Sequence, residues 1–181
     1  MQENKRVCIL YSTTDGHTYK ISRKIAEHIE GFGFKVDIVE ISMFTKSIFE
    51  YSILIIGASI RYGKHSKIVT QFIKNNHKEL VQIETAFFSV NLVARKDEKN
   101  TFDTNPYVVK FFKHLDWKPN IIDVFAGRLD YNSYSFVDRI MIKLIMKMTK
   151  GPTKSDRPIE YTDWDRVKSF SLKICEAKKK V

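Results

Sequence analysis

The chain has 181 residues, enough for one domain with a real core, and 43% of them are hydrophobic, which excludes a disordered polypeptide. Its formal net charge of +10 favours contact with anionic partners: nucleic acid, anionic lipid or an acidic substrate. No apolar run approaches the roughly 20 residues that a membrane-spanning helix needs, and Met1–Lys5 is polar and leads straight into a strand-like run, so no signal peptide is read here.

Arg6–Tyr11 is a compact apolar run before a Ser/Thr/Gly loop and reads as a buried strand. Thr18–Glu30 carries Ile21, Ile25, Ala26 and Ile29 at helical spacing, with Gly31 and Gly33 to end it. Lys35–Ile41 is a second strand and Ser52–Gly57 a third, apolar on both faces. Ser66–Asn75 is a helix with Ile68, Val69, Phe72 and Ile73 on one side, and Ala86–Val90 is a fourth strand. Asn105–Leu115 is a helix, Asn105 suiting the cap and Pro106 the first turn. Ile121–Ala126 is a fifth strand. Thr162–Ala177 is a last helix, opened by the capping-box-like Thr162-Asp163-Trp164-Asp165 and carrying a Val167, Phe170, Ile174 stripe.

Strands alternating with helices imply right-handed crossovers and a parallel sheet covered on both faces, here a doubly wound α/β domain of five strands. One domain spanning residues 1–181 is expected. The 35 residues 127–161 exceed an ordinary connection and form an insertion after the fifth strand, of a kind that usually carries function. Cys8 falls in the first strand and Cys175 in the last helix, and neither has a His or Cys at ligand spacing. Both read as small core residues in a reducing compartment, with no metal site.

The loop Ser12-Thr13-Thr14-Asp15-Gly16-His17-Thr18 joins the first strand to the first helix. Small hydroxyls donate to phosphate oxygens, Gly16 lets the backbone approach closely, and the amides of a helix start point at an anion. The loop lacks the lysine of a Walker sequence and the three glycines of a dinucleotide fingerprint, so it suits a monophosphate. A plain hydroxyl-rich helix cap would look similar. Asp15 fits a structural role, capping backbone amides, better than phosphate contact. In open parallel sheets ligands bind beyond the strand carboxyl ends, which puts Ala58–His65 and Asn91–Lys96 beside the same site. Gly63 and Ala58 would allow backbone approach to a flat ring, and Tyr62 would stack on it or simply pack.

These residues resemble a known family. The Ser12–Thr18 loop is similar to that of the flavodoxin superfamily, with Asp15 as a variation. Gly57–Gly63, Ser89–Lys96, Met141–Met148 and Tyr161–Trp164 resemble segments of the menaquinone-dependent protoporphyrinogen oxidases, and the resemblance runs nearly end to end. It implies a flavodoxin-like fold, non-covalent FMN, and oxidation of protoporphyrinogen IX to protoporphyrin IX in haem synthesis. A membrane quinone, menaquinone or ubiquinone, would accept the electrons. By motif match Ser12, Thr13, Thr14, Asp15, Gly16, His17 and Thr18 would surround the FMN phosphate. Ser59, Ile60, Arg61 and Tyr62, with Ser89, Asn91, Leu92, Val93 and Ala94, would flank the ring. No catalytic side chain transfers with the resemblance. The substrate is apolar with anionic propionates, for which Arg61, Lys64, Arg95, Lys96 and Arg128 are candidate partners.

Tyr134–Lys150 projects as a helix with Phe136, Val137, Ile140, Met141, Leu144, Ile145 and Met148 on one face. Arg139, Lys143 and Lys147 fall four apart on the other, and Ile142 and Met146 widen the apolar arc. This describes an interfacial helix, lying on an anionic membrane or covering a hydrophobic substrate; a helix packed on its own domain has a similar pattern. The expected location is cytoplasmic, peripheral to the inner face of a membrane. No nucleic-acid-reading module is found. A flavodoxin-type electron carrier, an NAD(P)H:quinone reductase and a phosphate-binding module without redox chemistry remain as alternatives. Colour on purification separates the last from the others, and substrate assays with and without quinone separate the rest.

Overall fold

The computed structural model describes residues 5–179. Its elements are β1 (Arg6–Ser12), α1 (His17–Glu30), β2 (Lys35–Glu40), β3 (Ile53–Arg61), β4 (Lys64–His65), α2 (Lys67–Asn75) and α3 (His77–Leu80). They continue as β5 (Glu84–Asn91), α4 (Pro106–Phe112), β6 (Ile121–Ala126), β7 (Arg128–Leu129), α5 (Phe136–Met148), β8 (Ile159–Glu160) and α6 (Trp164–Lys179). The main sheet runs β2-β1-β3-β5-β6 with every pairing parallel, as the alternation of strands and helices predicts. The chain leaves β1 towards one edge and returns at β3 on its other side, so the direction of winding reverses between β1 and β3. The crevice at such a reversal, beyond the strand carboxyl ends, is where ligands bind; flavodoxin is the standing example of that rule.

The period of two along each strand explains why the sheet is buried on both sides. Val7 and Ile9 face α1 and α6, packing with Ile21, Ile25, Phe170 and Ile174. Cys8 and Leu10 face the opposite layer, with Val69, Ile73, Phe87 and Trp117. Cys8 and Cys175 are accordingly buried in separate clusters. Gly57 is required in the middle of β3: a Cβ there would lie 2.2 Å from Cζ of Phe88 on β5.

Several boundaries differ from the sequence expectation, each for a visible reason. β3 runs on to Arg61, because Ile60 and Arg61 pair antiparallel with His65 and Lys64 of β4. Ala58 lies in the core beneath the crevice and presents no face to a ligand. Ile41 begins a tight turn after β2 and is not part of the strand. Asn105 caps α4 as expected, accepting from the amides of Tyr107 and Val108, but the helix closes at Phe112 and tightens into turns up to Leu115. Asp163 caps α6 by accepting from the Arg166 amide, because the Thr162 hydroxyl is committed to the Ala126 carbonyl 2.8 Å away.

The segment after β6 has a small core of its own. β7 and β8 pair antiparallel, and Leu129, Tyr131, Tyr134 and Met146 pack with Leu92, Ile142 and Ile159. Ser135 caps α5: its Oγ accepts from the Asp138 amide at 3.3 Å and donates to the Asp138 carboxylate at 2.6 Å. The packed side of α5 is therefore Asp138, Ile142 and Met146, and most of the apolar face read from the sequence turns to solvent. Phe136 is 77% exposed and Met148 83%, with Val137, Ile140, Met141 and Leu144 also exposed. Arg139, expected on an outer basic face, is half-buried and reaches back to the Tyr134 carbonyl. Among the described residues no helix is long and apolar enough to cross a membrane.

Candidate functional site

A cleft opens beyond the carboxyl ends of β1, β3 and β5. The loop from β1 to α1 forms its floor at one end, the β3–β4 hairpin and the turn after β5 form two sides, and α5 closes it from above.

The floor fits an anion. Gly16 is the N-cap of α1 in the left-handed region, with φ 75°, and no side chain caps the first-turn amides. Nothing lies within 4 Å of where a Gly16 Cβ would sit, so the backbone is open to a close approach. The hydroxyls of Thr13 and Thr18 are buried and meet no protein partner. Buried hydroxyls are ordinarily hydrogen-bonded, so these two donors await an acceptor. Together with the positive end of the α1 dipole they give this end of the cleft a chemistry that favours an anion. His17 is buried and belongs to a different network. Its Nε2 lies 2.7 Å from the Thr162 hydroxyl, and burial lowers its basicity, which favours neutral imidazole.

Above the floor stands a charged cluster. Arg61, at the end of β3, donates from Nη1 to Asp15 at 3.3 Å and from Nη2 to the carboxylate of Asp138. Asp15 thus pairs with a guanidinium, in place of the backbone-amide capping expected of it. The Tyr62 hydroxyl donates to the other Asp138 oxygen. Tyr62 and Gly63 form the tip of the β3–β4 hairpin, both at positive φ, 50° and 75°. A tyrosine in that region is strained, and the strain sits at the cleft mouth. The Ser135 hydroxyl, then Tyr62 and Arg61, hold the Asp138 carboxyl below the usual carboxylate range.

Of the residues expected from the sequence, Thr13, Asp15, His17, Thr18, Ser59, Ile60, Arg61, Tyr62, Asn91, Leu92 and Val93 line this cleft. Ser12, Thr14 and Gly16 belong to the floor loop without lining the cleft. Ser89 and Ala94 are not brought to it. Ser89 shares a sheet face with Phe87, is fully buried and bonds His65 at 3.0 Å, while Ala94 packs against Val108, Val124 and Ala126. Asn91 links the two levels: its Oδ1 accepts from the Ala94 amide and from Asn105, and its Nδ2 donates to Ser89. Among the candidate propionate partners, Arg95 is committed to the carboxyl end of α5, donating to the Thr149 carbonyl at 3.1 Å and hydroxyl at 2.7 Å. Arg128 lines the cleft and pairs with Asp130 at 2.6 Å.

Sequence reasoning missed Tyr107, Asp130, Ser133, Tyr134 and Asp138, which also line the cleft. One signal was present: Ser135 and Asp138, three apart before an apolar run, have the spacing of a capping box. That spacing marks the start of α5 and directs Asp138 inward.

The comparisons with known proteins agree with this fold. A family model for a flavodoxin domain matches residues 8–156. A protoporphyrinogen IX dehydrogenase [quinone] of Leishmania major is 43% identical over 171 residues, covering 93% of this chain and 74% of that protein. Its namesake in Escherichia coli is 41% identical over 170 residues, covering 93% of this chain and 94% of that protein. The solved structure of oxidised flavodoxin 1 from Bacillus cereus superposes with a TM-score of 0.55 at 12% identity, covering 94% of this chain and 97% of that one, a likeness of fold. The chain belongs to the flavodoxin-domain family and, within it, to the quinone-type protoporphyrinogen IX dehydrogenases.

Proposed function

We propose that this chain is an FMN-dependent enzyme of haem synthesis that oxidises protoporphyrinogen IX to protoporphyrin IX and delivers the electrons to a menaquinone or ubiquinone. The observation that carries the reading is the 43% and 41% identity to relatives of that name over 93% of the chain. The whole chain, 1–181, is read as a single flavodoxin-like domain with 127–161 as its insertion.

The cofactor class is a flavin; the form proposed is FMN, because the floor loop is built for one phosphate. When bound, the flavin would supply two-electron redox chemistry, and three such steps aromatise a porphyrinogen. The chain's own residues do the rest. Thr13, Thr18 and the first-turn amides of α1 bind the phosphate, while Gly16 keeps the approach open. Ser59, Ile60, Arg61 and Tyr62 on one side and Asn91, Leu92 and Val93 on the other hold the ring between β3 and β5. Met141, Ile142 and Ile145 of α5 line the cleft above and give an apolar macrocycle a surface that excludes water.

The outer side of α5 is proposed as the contact with the cytoplasmic face of a membrane. Its exposed Phe136, Val137, Leu144 and Met148 would enter lipid, and Lys143 and Lys147 would meet anionic headgroups. This places the cleft next to a membrane-dissolved quinone.

Anaerobic turnover tests the reading. With FMN loaded, protoporphyrinogen should be oxidised far faster with a menaquinone or ubiquinone analogue than with NAD⁺. A preparation that oxidises only NADPH would move the chain to the quinone reductases, and a colourless one that binds no flavin would remove the redox reading altogether.

A further inference from the structure

The Asp138 carboxylate touches both Arg61 and Tyr62 although 77 and 76 residues separate them in sequence. It reaches them from the first turn of the insertion helix, inside the cleft where an anionic substrate must sit. We propose that Arg61 and Tyr62 form a carboxylate-binding subsite at the cleft mouth, that Asp138 fills it in this structure as an internal ligand, and that one carboxylate arm of the substrate displaces it. This inference rests on the reading of the substrate as a carboxylate-bearing tetrapyrrole.

The donors suit a bidentate oxyanion, and the group they hold here is a carboxylate. A guanidinium and a phenol hydroxyl each engage one of the two Asp138 oxygens, the arrangement a free carboxylate would adopt. Charge decides between addition and exchange. Arg61 already faces two carboxylates, Asp15 and Asp138, so the cluster is net negative and a third carboxylate would be repelled. If Asp138 leaves, the balance returns to one guanidinium between two carboxylates. Asp138 has somewhere to go: Ser135 holds it from within its own helix, so it keeps a capping partner when Arg61 and Tyr62 are taken. Tyr62 is 58% exposed at the strained hairpin tip, where a ligand reaches it without unpacking the core.

The test uses the FMN-loaded protein, with protoporphyrin IX and its dimethyl ester as probes, titrated by fluorescence quenching. Asp138→Asn keeps the shape and removes the competing charge. It should bind the acid about tenfold more tightly, as expected when an internal competitor holds a site nine-tenths of the time, and bind the ester as wild type does. Arg61→Gln should erase the preference for acid over ester. Ser135→Ala weakens the helix cap but leaves both charges, so it should keep the acid-to-ester ratio near wild type. Should the Asp138 variant fail to fold, Tyr62→Phe still reports: it should weaken the acid several-fold and leave the ester unmoved. Acid and ester falling together in the Asp138 variant, or Ser135→Ala reproducing its effect, would make Asp138 a helix cap only and overturn the subsite. Equal binding of acid and ester by every variant overturns the subsite while leaving the substrate reading intact. Binding of neither probe to wild type removes the substrate reading, and the subsite with it.

Discussion

The His17 Nε2 lies 2.7 Å from the Thr162 hydroxyl, and that hydroxyl donates onward to the Ala126 carbonyl at 2.8 Å. A hydroxyl has one proton to give, so the ring nitrogen must be the donor in the first of these bonds, and the proton of neutral His17 sits on Nε2. The chain of bonds fastens the start of α1 to the end of β6 and to the strand that returns from the insertion. The floor of the cleft is thereby tied to the residues on either side of 127–161.

Thr162→Val tests this tie. The substitution keeps the shape and leaves His17 Nε2 and the Ala126 carbonyl without their partner. The expected cost is about 1–3 kcal/mol, the penalty of a buried group left unsatisfied, read as a lower urea midpoint at unchanged slope. FMN affinity should fall as well, because the loop proposed to hold the phosphate runs directly into His17. A variant as stable as wild type, with equal FMN affinity, would show that this chain of bonds does not hold in solution.

His65 supplies a pH prediction. It is buried against Phe87 and Phe111 with Nε2 on Ser89, and burial pushes its pKa down to about 3. A histidine depressed in the folded state takes up its proton later than the unfolded chain does. The unfolded state therefore binds more protons below its ordinary value of 6.5, and stability is lost as pH falls from there towards 3. Above 6.5 this group contributes no pH dependence. Proton NMR of the imidazole should show it neutral at pH 5; a His65 resonance that titrates near the ordinary histidine value of 6.5 sinks the assignment.

Gly57 is a prediction about packing alone. In Gly57→Ala the new methyl would fall 2.2 Å from Phe88 Cζ, inside the most buried part of the sheet. Phe88 is wedged between Phe125 and Phe170 and has little room to yield. Overpacking of this kind costs about 1–3 kcal/mol. Chemical denaturation measures it, and an unchanged midpoint would mean that the Phe88 ring relaxes freely.

How much of this was legible in advance follows from the range of the interactions. β1 and β3 were readable as short continuous apolar runs, because Val7–Leu10 and Ile53–Ile56 send alternate side chains into two separate cores and every position must be apolar. The loop between β1 and α1 was readable as a loop because Ser12–Gly16 are small, polar and turn-forming residues between a strand pattern and a helix pattern. The hairpin at Tyr62–Gly63 was hidden, since tyrosine has no preference for a left-handed turn. The inward turn of Ser89 follows from its sharing a face with Phe87, which the alternation alone allowed but the motif match obscured. The face of α5 that packs was not legible because a polar side chain, Asp138, points inward on it. A hydrophobic projection assigns such a residue to solvent, and only the distant Arg61 explains why it is buried.

Gly16→Val tests the phosphate cradle separately from the rest of the cleft. At φ 75° a β-branched residue is strained, a penalty of about 1–2 kcal/mol in this region, and its methyls project where nothing of the protein stands. FMN affinity should fall about tenfold or more, whereas riboflavin, which lacks the phosphate, should be bound nearly as by wild type. Equal losses for both flavins would mean that the loop supports the cleft as a whole and does not address the phosphate.

The outer face of α5 yields the prediction with the widest consequence. An apolar face that packs on its own domain and one that meets lipid look alike in sequence, but they respond differently to polar substitution. Phe136, Leu144 and Met148 are 77%, 51% and 83% exposed, so replacing Phe136 and Leu144 with serine should change folding stability by no more than about 0.5 kcal/mol, as for other surface positions. The same double variant should lose co-sedimentation with vesicles, because each of these side chains contributes about 1.5–3 kcal/mol when fully buried. The basic residues act through charge. Arg139 is committed to the Tyr134 carbonyl, so the electrostatic variant is restricted to Lys143 and Lys147, both changed to Glu. Each lysine near an anionic surface is worth about 1 kcal/mol, and the contribution should fade as salt shortens the screening length. The Lys pair should therefore matter on vesicles rich in phosphatidylglycerol at low salt and little on neutral ones, while the serine variant weakens binding to both. Turnover with a membrane-embedded quinone should drop in both variants, and turnover with a soluble quinone analogue should persist, because the proposed phosphate site lies in the β1–α1 loop, away from these side chains. Wild-type protein that fails to co-sediment with either vesicle at low salt would show that α5 is no membrane contact. The exposed side chains would then cover the macrocycle alone, and the serine variant should raise KM for the porphyrinogen even with the soluble quinone.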